Sequence, residues 1–400
     1  MQILRIVFTC LLCSSFFSNR ANDTMPIIAF LGVPDWQTSA NNFRLINECG
    51  FTTSIQTYSS LSAMIKACRQ ADEYGINILG QCPEMFSAPT KTANILKKER
   101  GFFGYYMHDE PSLPVIWQRQ KEFKELHSID STHCFYINLH PYYHQEWVEP
   151  TLKVKTYQEY LRAASQTICQ QLSFDFYPIT TAGIRPTWYK NLEMIRRECQ
   201  LSGKPFWAFV LCTPHDVPYT HNTYYPQPTL ASLRLQVYSN LAYGAQAIQY
   251  FTYWQPDDSE GFHFHDAPVT RDGQKTKTYY LVQQMNRELK TVARLFYGAK
   301  MLSVNHLGGT IPEGTTRLSK MPINLSSLKV VSKKGAIVSQ LEKNGHRYLA
   351  IVNKDYKGSM KILIKYSNDT PRQITKQLKD VAVSGSYNIE PGDILLFRLK

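Results

Sequence analysis

Short apolar runs alternate with amphipathic stretches of helical length along the first three hundred residues, and the alternation predicts eight strand–helix units. The predicted strands are Ile27 to Val33, Thr52 to Thr57, Asn77 to Gln81, Gly101 to Met107, Cys134 to Leu139, Gln171 to Tyr177, Phe206 to Cys212 and Ala247 to Tyr253. Amphipathic segments follow each of them, for example Leu61 to Tyr74, Leu113 to His127, Tyr157 to Gln170 and Thr276 to Phe296. Eight such units between residues 25 and 300 predict an α/β fold, a (β/α)8 TIM barrel. A doubly wound open sheet is the other architecture this pattern permits. It is disfavoured because Leu31-Gly32-Val33-Pro34-Asp35-Trp36, after the first strand, lacks a glycine-rich phosphate turn.

After Gly298 the period changes from helical to two. Alternating runs at Leu328 to Val331, Ala336 to Glu342, Arg347 to Asn353, Met360 to Ile364, Val381 to Ser384 and Asp393 to Arg398 are separated by turn residues such as Lys343-Asn344-Gly345. Residues 301–400 are therefore expected to form a small all-β sandwich.

The strand ends carry the chemistry. In a closed parallel barrel the reactive groups sit where strands meet the following loops. Strand four runs Gly104-Tyr105-Tyr106-Met107-His108 into Asp109-Glu110-Pro111, so two acids stand where an apolar strand stops. Proline cannot donate to a sheet ladder and disfavours helix at the preceding residue, which predicts an extended Glu110 facing the loop side. The other exits contribute Asp35 and Trp36, Gln56 and Tyr58, Glu84, Asn138 and His140, Asp175 and Tyr177, His215 and Asp216, and Trp254 with Asp257 and Asp258. With Trp207 of strand seven, this set mixes hydrogen-bonding groups and flat rings. Sugars suit such a lining, because their hydroxyls need many partners and their C–H faces stack on rings. Asp35, Trp36, Tyr58, Asp109, Asn138, His140, Tyr177, Trp207, His215 and Trp254 are the expected substrate contacts.

On three elements the chain resembles the clan A glycoside hydrolases, and within them galactosidase-like proteins with a C-terminal β-sandwich. These are the Gly104-to-Pro111 segment, Asp175-Phe176-Tyr177-Pro178, and Arg234-Leu235-Gln236-Val237-Tyr238 with Leu241-Ala242-Tyr243-Gly244-Ala245 leading to Tyr250-Phe251-Thr252-Tyr253-Trp254. The resemblance implies glycosidic-bond hydrolysis of an oligo- or polysaccharide with Glu110 as acid/base. It also implies a second glutamate at the end of strand seven, where this chain reads Cys212-Thr213-Pro214-His215-Asp216. Asp175, Asp216 and Glu260 are the acids available instead, and Asp175 is the expected partner of Glu110. The missing glutamate leaves a non-catalytic glycan-binding barrel as the alternative.

Composition narrows the setting. The formal charge of +12 is spread over dispersed Lys and Arg, so a nucleic-acid partner is not expected. Arg5 followed by an apolar Ile6-to-Phe17 stretch reads as a signal peptide over residues 1–21, which predicts an exported, periplasmic, cell-surface or secreted protein with no membrane span once it is removed. The seven cysteines beyond it are odd in number and scattered, as buried free thiols are. The His215-Asp216 and His263-to-Asp266 segments lack metal-site spacing, and neither metal nor cofactor is expected.

Overall fold

The computed structural model describes residues 24–167, 169–216, 224–259, 261–331, 334–367 and 369–400. The expected signal peptide and Glu260 lie outside these residues. Eight parallel strands close on one another: β1 (Ile27–Phe30), β2 (Thr53–Thr57), β3 (Asn77–Gln81), β4 (Phe102–Asp109), β5 (Cys134–Leu139), β6 (Leu172–Phe174), β7 (Phe206–Leu211) and β8 (Ala247–Phe251). β1 pairs with both β2 and β8, which closes the (β/α)8 barrel.

The two-residue period decides which way each side chain points. Ile27 and Ala29 join the layer between barrel and helices, whereas Ile28 and Phe30 join Ile55, Leu79, Tyr106, Tyr136, Trp207 and Phe209 in the barrel interior. Both faces of each strand are thus covered, which is why the strands read as nearly continuous apolar runs. Side-chain caps start the helices where the sequence supplies them. Ser39, Ser60 and Thr156 accept from backbone N–H groups three residues on, and Thr156 forms a capping box with Glu159.

β6 is shorter than its apolar run predicts: pairing ends at Phe174, and Asp175 to Tyr177 continue as loop. A helix at Gln145–Leu152 was not legible, since Pro150 and its polar neighbours obscure the pattern. After the barrel, a six-stranded antiparallel sheet (opened by Lys300–Leu307) faces a three-stranded sheet of Leu325–Val331, Met360–Tyr366 and Ser386–Ile389. Val338, Leu349, Ile351, Ile362, Ile364 and Phe397 fill the space between them. The outer face of the larger sheet, through Ile337, Leu341, Ala350 and Val352, joins the barrel-side core, and Ser339 Oγ donates to the Ala242 carbonyl at 2.7 Å. Arg234 and Glu288 of the barrel's last two helices form ion pairs with each other and with Asp393 and Lys376 of the sheet region. All seven cysteines of the described residues are free; six are buried and Cys199 is half-buried.

Candidate active site

β4 delivers its acids with a twist in the backbone. Asp109 is the last strand residue, and Glu110 adopts a left-handed conformation at φ 43° instead of the extended one expected before Pro111. A non-glycine residue holds this costly conformation only when its surroundings fix it. Here the Glu110 N–H donates to the Asn138 carbonyl at 2.8 Å, and the Tyr160 hydroxyl donates to the Pro111 carbonyl at 2.6 Å. The carboxylate of Glu110 lies 3.1 Å from His140 Nδ1. His140 is itself anchored by the two helices that follow β5: the Tyr157 hydroxyl donates to its carbonyl at 2.7 Å, its N–H reaches the Tyr160 hydroxyl at 3.4 Å, and its ring meets Trp147 edge-on. One tyrosine hydroxyl therefore ties the exits of β4 and β5 together.

Below the acids lies a polar floor inside the barrel. Tyr136 donates to Gln249 Oε1 at 2.8 Å, Gln249 Nε2 donates to Ser173 Oγ at 2.8 Å, and Ser173 Oγ stands 3.1 Å from Asn138 Oδ1. With its oxygen engaged below, Asn138 turns its Nδ2 upward to donate to Asp109 Oδ1 at 3.1 Å. Asp109 touches the water of the barrel mouth, yet it sits deep in that recess. Burial first, and then the charge of Glu110, push its carboxyl up to about 6, against the opposing pull of Asn138 and His140.

Asp175, just beyond β6, completes the cluster. The Tyr177 hydroxyl donates to its Oδ2 at 3.3 Å. Burial, followed by the charges of Glu110 and Asp109, raises its carboxyl well above the usual range. Asp175 is thus held in its protonated form.

These shifts set the sign of a pH effect. An acid whose folded value is raised stays protonated in the native state after the unfolded chain has ionised. Stability falls as pH climbs from about 4, the unfolded carboxyl value, through the folded one. Asp175→Asn removes that penalty. The variant is expected to gain melting temperature relative to the native protein at pH 8 compared with pH 4, and thermal melts at the two pH values check this. A larger loss at pH 8 than at pH 4 contradicts the assignment.

Beside Asp109 a cavity of about 330 Å3 opens at the carboxyl ends of the strands. Phe30 and Leu31, Ile55 to Thr57, Tyr106 and Phe251 line its barrel side, and Pro256, Asp257, Ser259 and Phe264 come from the loop after β8. Of the residues expected from sequence, the structure gathers Asp109, Glu110, Asn138, His140, Asp175 and Tyr177 in one place. The others are elsewhere. Asp35 accepts from the Ser59 N–H at 2.9 Å and from its hydroxyl, joining the loops after β1 and β2, and Trp36 beside it is 72% exposed. Tyr58 and Trp254 are buried in the core, and Trp207 lies within the barrel against Phe103 and Tyr136. His215 is enclosed by Tyr225, Phe251 and Phe264, and burial pushes it down to about 4, so it is neutral at ordinary pH.

Sequence reasoning missed Phe251, Phe264, Tyr157 and Tyr160. Strand parity was a usable signal for Phe251, and the i, i+3 pair of tyrosines for the other two. Among the described residues no three His, Cys, Asp or Glu side chains gather as a metal site would need, and no helix is long and apolar enough to cross a membrane.

Residues 105–292 match the family model of the glycoside hydrolase family 42 β-galactosidases. No curated protein sequence matches the chain. Among solved structures, the β-galactosidase from Bacillus circulans sp. alkalophilus superposes with a TM-score of 0.62 at 9% identity, over 94% of this chain and 99% of that one. A catalytic mutant of Gan42B, a family 42 β-galactosidase from G. stearothermophilus, gives 0.62 at 8% identity, over 95% and 98%. The β-galactosidase from the psychrophilic Marinomonas ef1 gives 0.53 at 7% identity, over 94% and 100%. At such identities the structures speak for the fold. The chain is a (β/α)8 barrel, similar over residues 105–292 to the galactosidase-like glycoside hydrolases of clan A.

Proposed function

We propose that this is an exported glycosidase that removes galactose-configured sugars from oligo- or polysaccharides, with Glu110 as the proton donor. The observation that carries the reading is the placement of Glu110 at the barrel mouth, paired with His140 and beside a proton-bearing Asp175. Carboxyls separated by about 5–5.5 Å suit a retaining pair and about 6.5–9.5 Å an inverting one. Asp175, buried beyond β6 and held by the Tyr177 hydroxyl, is the second carboxyl of this reading. The galactose configuration rests on the family match, and export on the apolar leader-like start of the chain.

In the reaction Glu110 gives its proton to the glycosidic oxygen as the bond to the anomeric carbon breaks, and later takes a proton from the attacking water. His140 and Tyr160 hold the carboxyl in place through these steps. The test is release of p-nitrophenol from a panel of p-nitrophenyl β-glycosides of galacto configuration, with and without a 2-acetamido group, by the protein purified without residues 1–21. Turnover of at least one member is expected, and inertness toward the whole panel sinks the reading.

A further inference from the structure

Beyond β6 the chain carries two buried polar atoms that have no partner among the described residues, Asp175 Oδ1 and Arg185 Nε. It leaves the barrel at Asp175 and makes a short hairpin of Ile179–Thr180 and Gly183–Ile184, which the Arg185 N–H closes by donating to the Pro178 carbonyl at 2.8 Å. The half-buried Arg185 side chain then lies between two rings: Tyr143 from the loop after β5, at 5.2 Å, and Tyr225 from the loop after β7, at 5.7 Å. Three neighbouring strand exits therefore enclose one guanidinium. Both rings lead to the acids. Tyr225 meets Tyr177, whose hydroxyl holds Asp175, and Tyr143 meets Trp147, which meets His140 beside Glu110. Burial first, then the charges of Tyr225, Asp175 and Glu110, push the Tyr143 hydroxyl up while Arg185 pulls it back, so cation and acids act on the same phenol.

Ring faces attract a guanidinium, yet they leave the N–H donors of its planar edge without acceptors. Among the described residues Arg185 has one side-chain hydrogen bond, from Nη2 to the Tyr225 hydroxyl at 3.3 Å, and no carboxylate at ion-pair distance. Other half-buried arginines are neutralised: Arg196 by Glu193, and Arg234 by Glu288 and Asp393. Val217-Pro218-Tyr219-Thr220-His221-Asn222-Thr223, next to Tyr225 in the chain, include no acid. Asp175 is held protonated and offers no countercharge. A partly desolvated cation so placed is costly unless its partner arrives with a ligand.

We propose that the substrate is an acidic glycan, and that a carboxylate or sulfate group on one of its sugars seats against Arg185. The inference rests on the hydrolase reading above and names the substrate class of the same site. The planar fork of an arginine matches two oxygens of such a group, and the flanking rings hold that fork in one orientation. The Tyr225 hydroxyl accepts from Nη2 and keeps its own proton to donate to the anion. Asp175, held protonated, and Asp109, pushed up to about 6, lessen the repulsion an anion meets at the barrel mouth. The formal charge of +12 adds attraction at longer range.

The experiment measures hydrolysis of one set of β-linked galactan oligosaccharides in three forms: neutral, sulfated, and oxidised at C6 to galacturonates. At least one anionic form is expected to show a kcat/KM about tenfold or more above that of the neutral form, and which one it is tells sulfate from carboxylate. In Arg185→Gln the anionic-to-neutral ratio is expected to fall to about one, through a higher KM for the anionic form. An arginine that only holds the loops together would lower all rates alike and leave the ratio standing, which overturns the inference. In the native protein inorganic sulfate is expected to compete with the anionic form, a readout that does not depend on how the variant folds, and indifference to sulfate counts against the site. Equal or faster cleavage of the neutral form, whether because Arg185 serves packing or because Glu260 neutralises it, overturns the inference and leaves the hydrolase reading standing. Inertness toward all three forms by a protein that cleaves a p-nitrophenyl glycoside overturns the inference alone, and inertness toward those glycosides as well removes both readings.

Discussion

Glu110→Gln is expected to lower kcat/KM on a glycan or alkyl glycoside by on the order of 10³-fold while leaving the melting temperature near that of the native protein. Glutamine keeps the shape of the side chain and can still meet His140, but it has no proton of suitable acidity to give. The loss should depend on the leaving group. A dinitrophenolate departs without help, so cleavage of the dinitrophenyl glycoside should suffer far less than that of an alkyl glycoside, and the ratio of the two effects isolates proton donation from binding. Equal losses on both substrates would mean that Glu110 acts by positioning or binding. An undiminished rate on the alkyl glycoside would remove it from the mechanism altogether.

The barrel itself was open to reading because burial on both strand faces forces apolar runs, and helices between them must be amphipathic. Ile27 to Phe30 and Asn77 to Gln81 show this plainly. The acids at 109 and 110 were legible for the same reason, since nothing in strand packing asks for them there. The conformation of Glu110 was not, because Pro111 argues locally for extension and the contacts that override it come from Asn138 and Tyr160, far away in sequence. The lost pairing at the end of β6 likewise depends on neighbours that a single apolar run does not reveal. The aromatic residues marked the limit most clearly. Parity along a strand tells whether a ring points into the barrel, but height along the axis decides whether it meets a sugar or the floor. Trp207 is the second residue of β7, far from its carboxyl end, and Trp254 turns back into the core after β8.

Trp207 therefore offers a sharp test of depth against function. It is 2% exposed, stacked on Phe103 at a centroid distance of 6.3 Å and tilted against Tyr136 at 5.7 Å, beneath the polar floor that aims Asn138 at Asp109. Trp207→Ala leaves a void in a closed cylinder whose walls are hydrogen-bonded all round and have little freedom to collapse. A loss of about 3–5 kcal/mol is expected, read as a lower urea midpoint at unchanged slope. Because Tyr136 would lose the ring that packs it against the floor, kcat should fall as the Gln249–Ser173–Asn138 chain loosens. A sugar platform behaves in the opposite way: KM rises while stability stays near the native value. A Trp207→Ala protein that unfolds at the native urea concentration but binds substrate weakly would place the ring at the mouth and undo the interior arrangement described for β7.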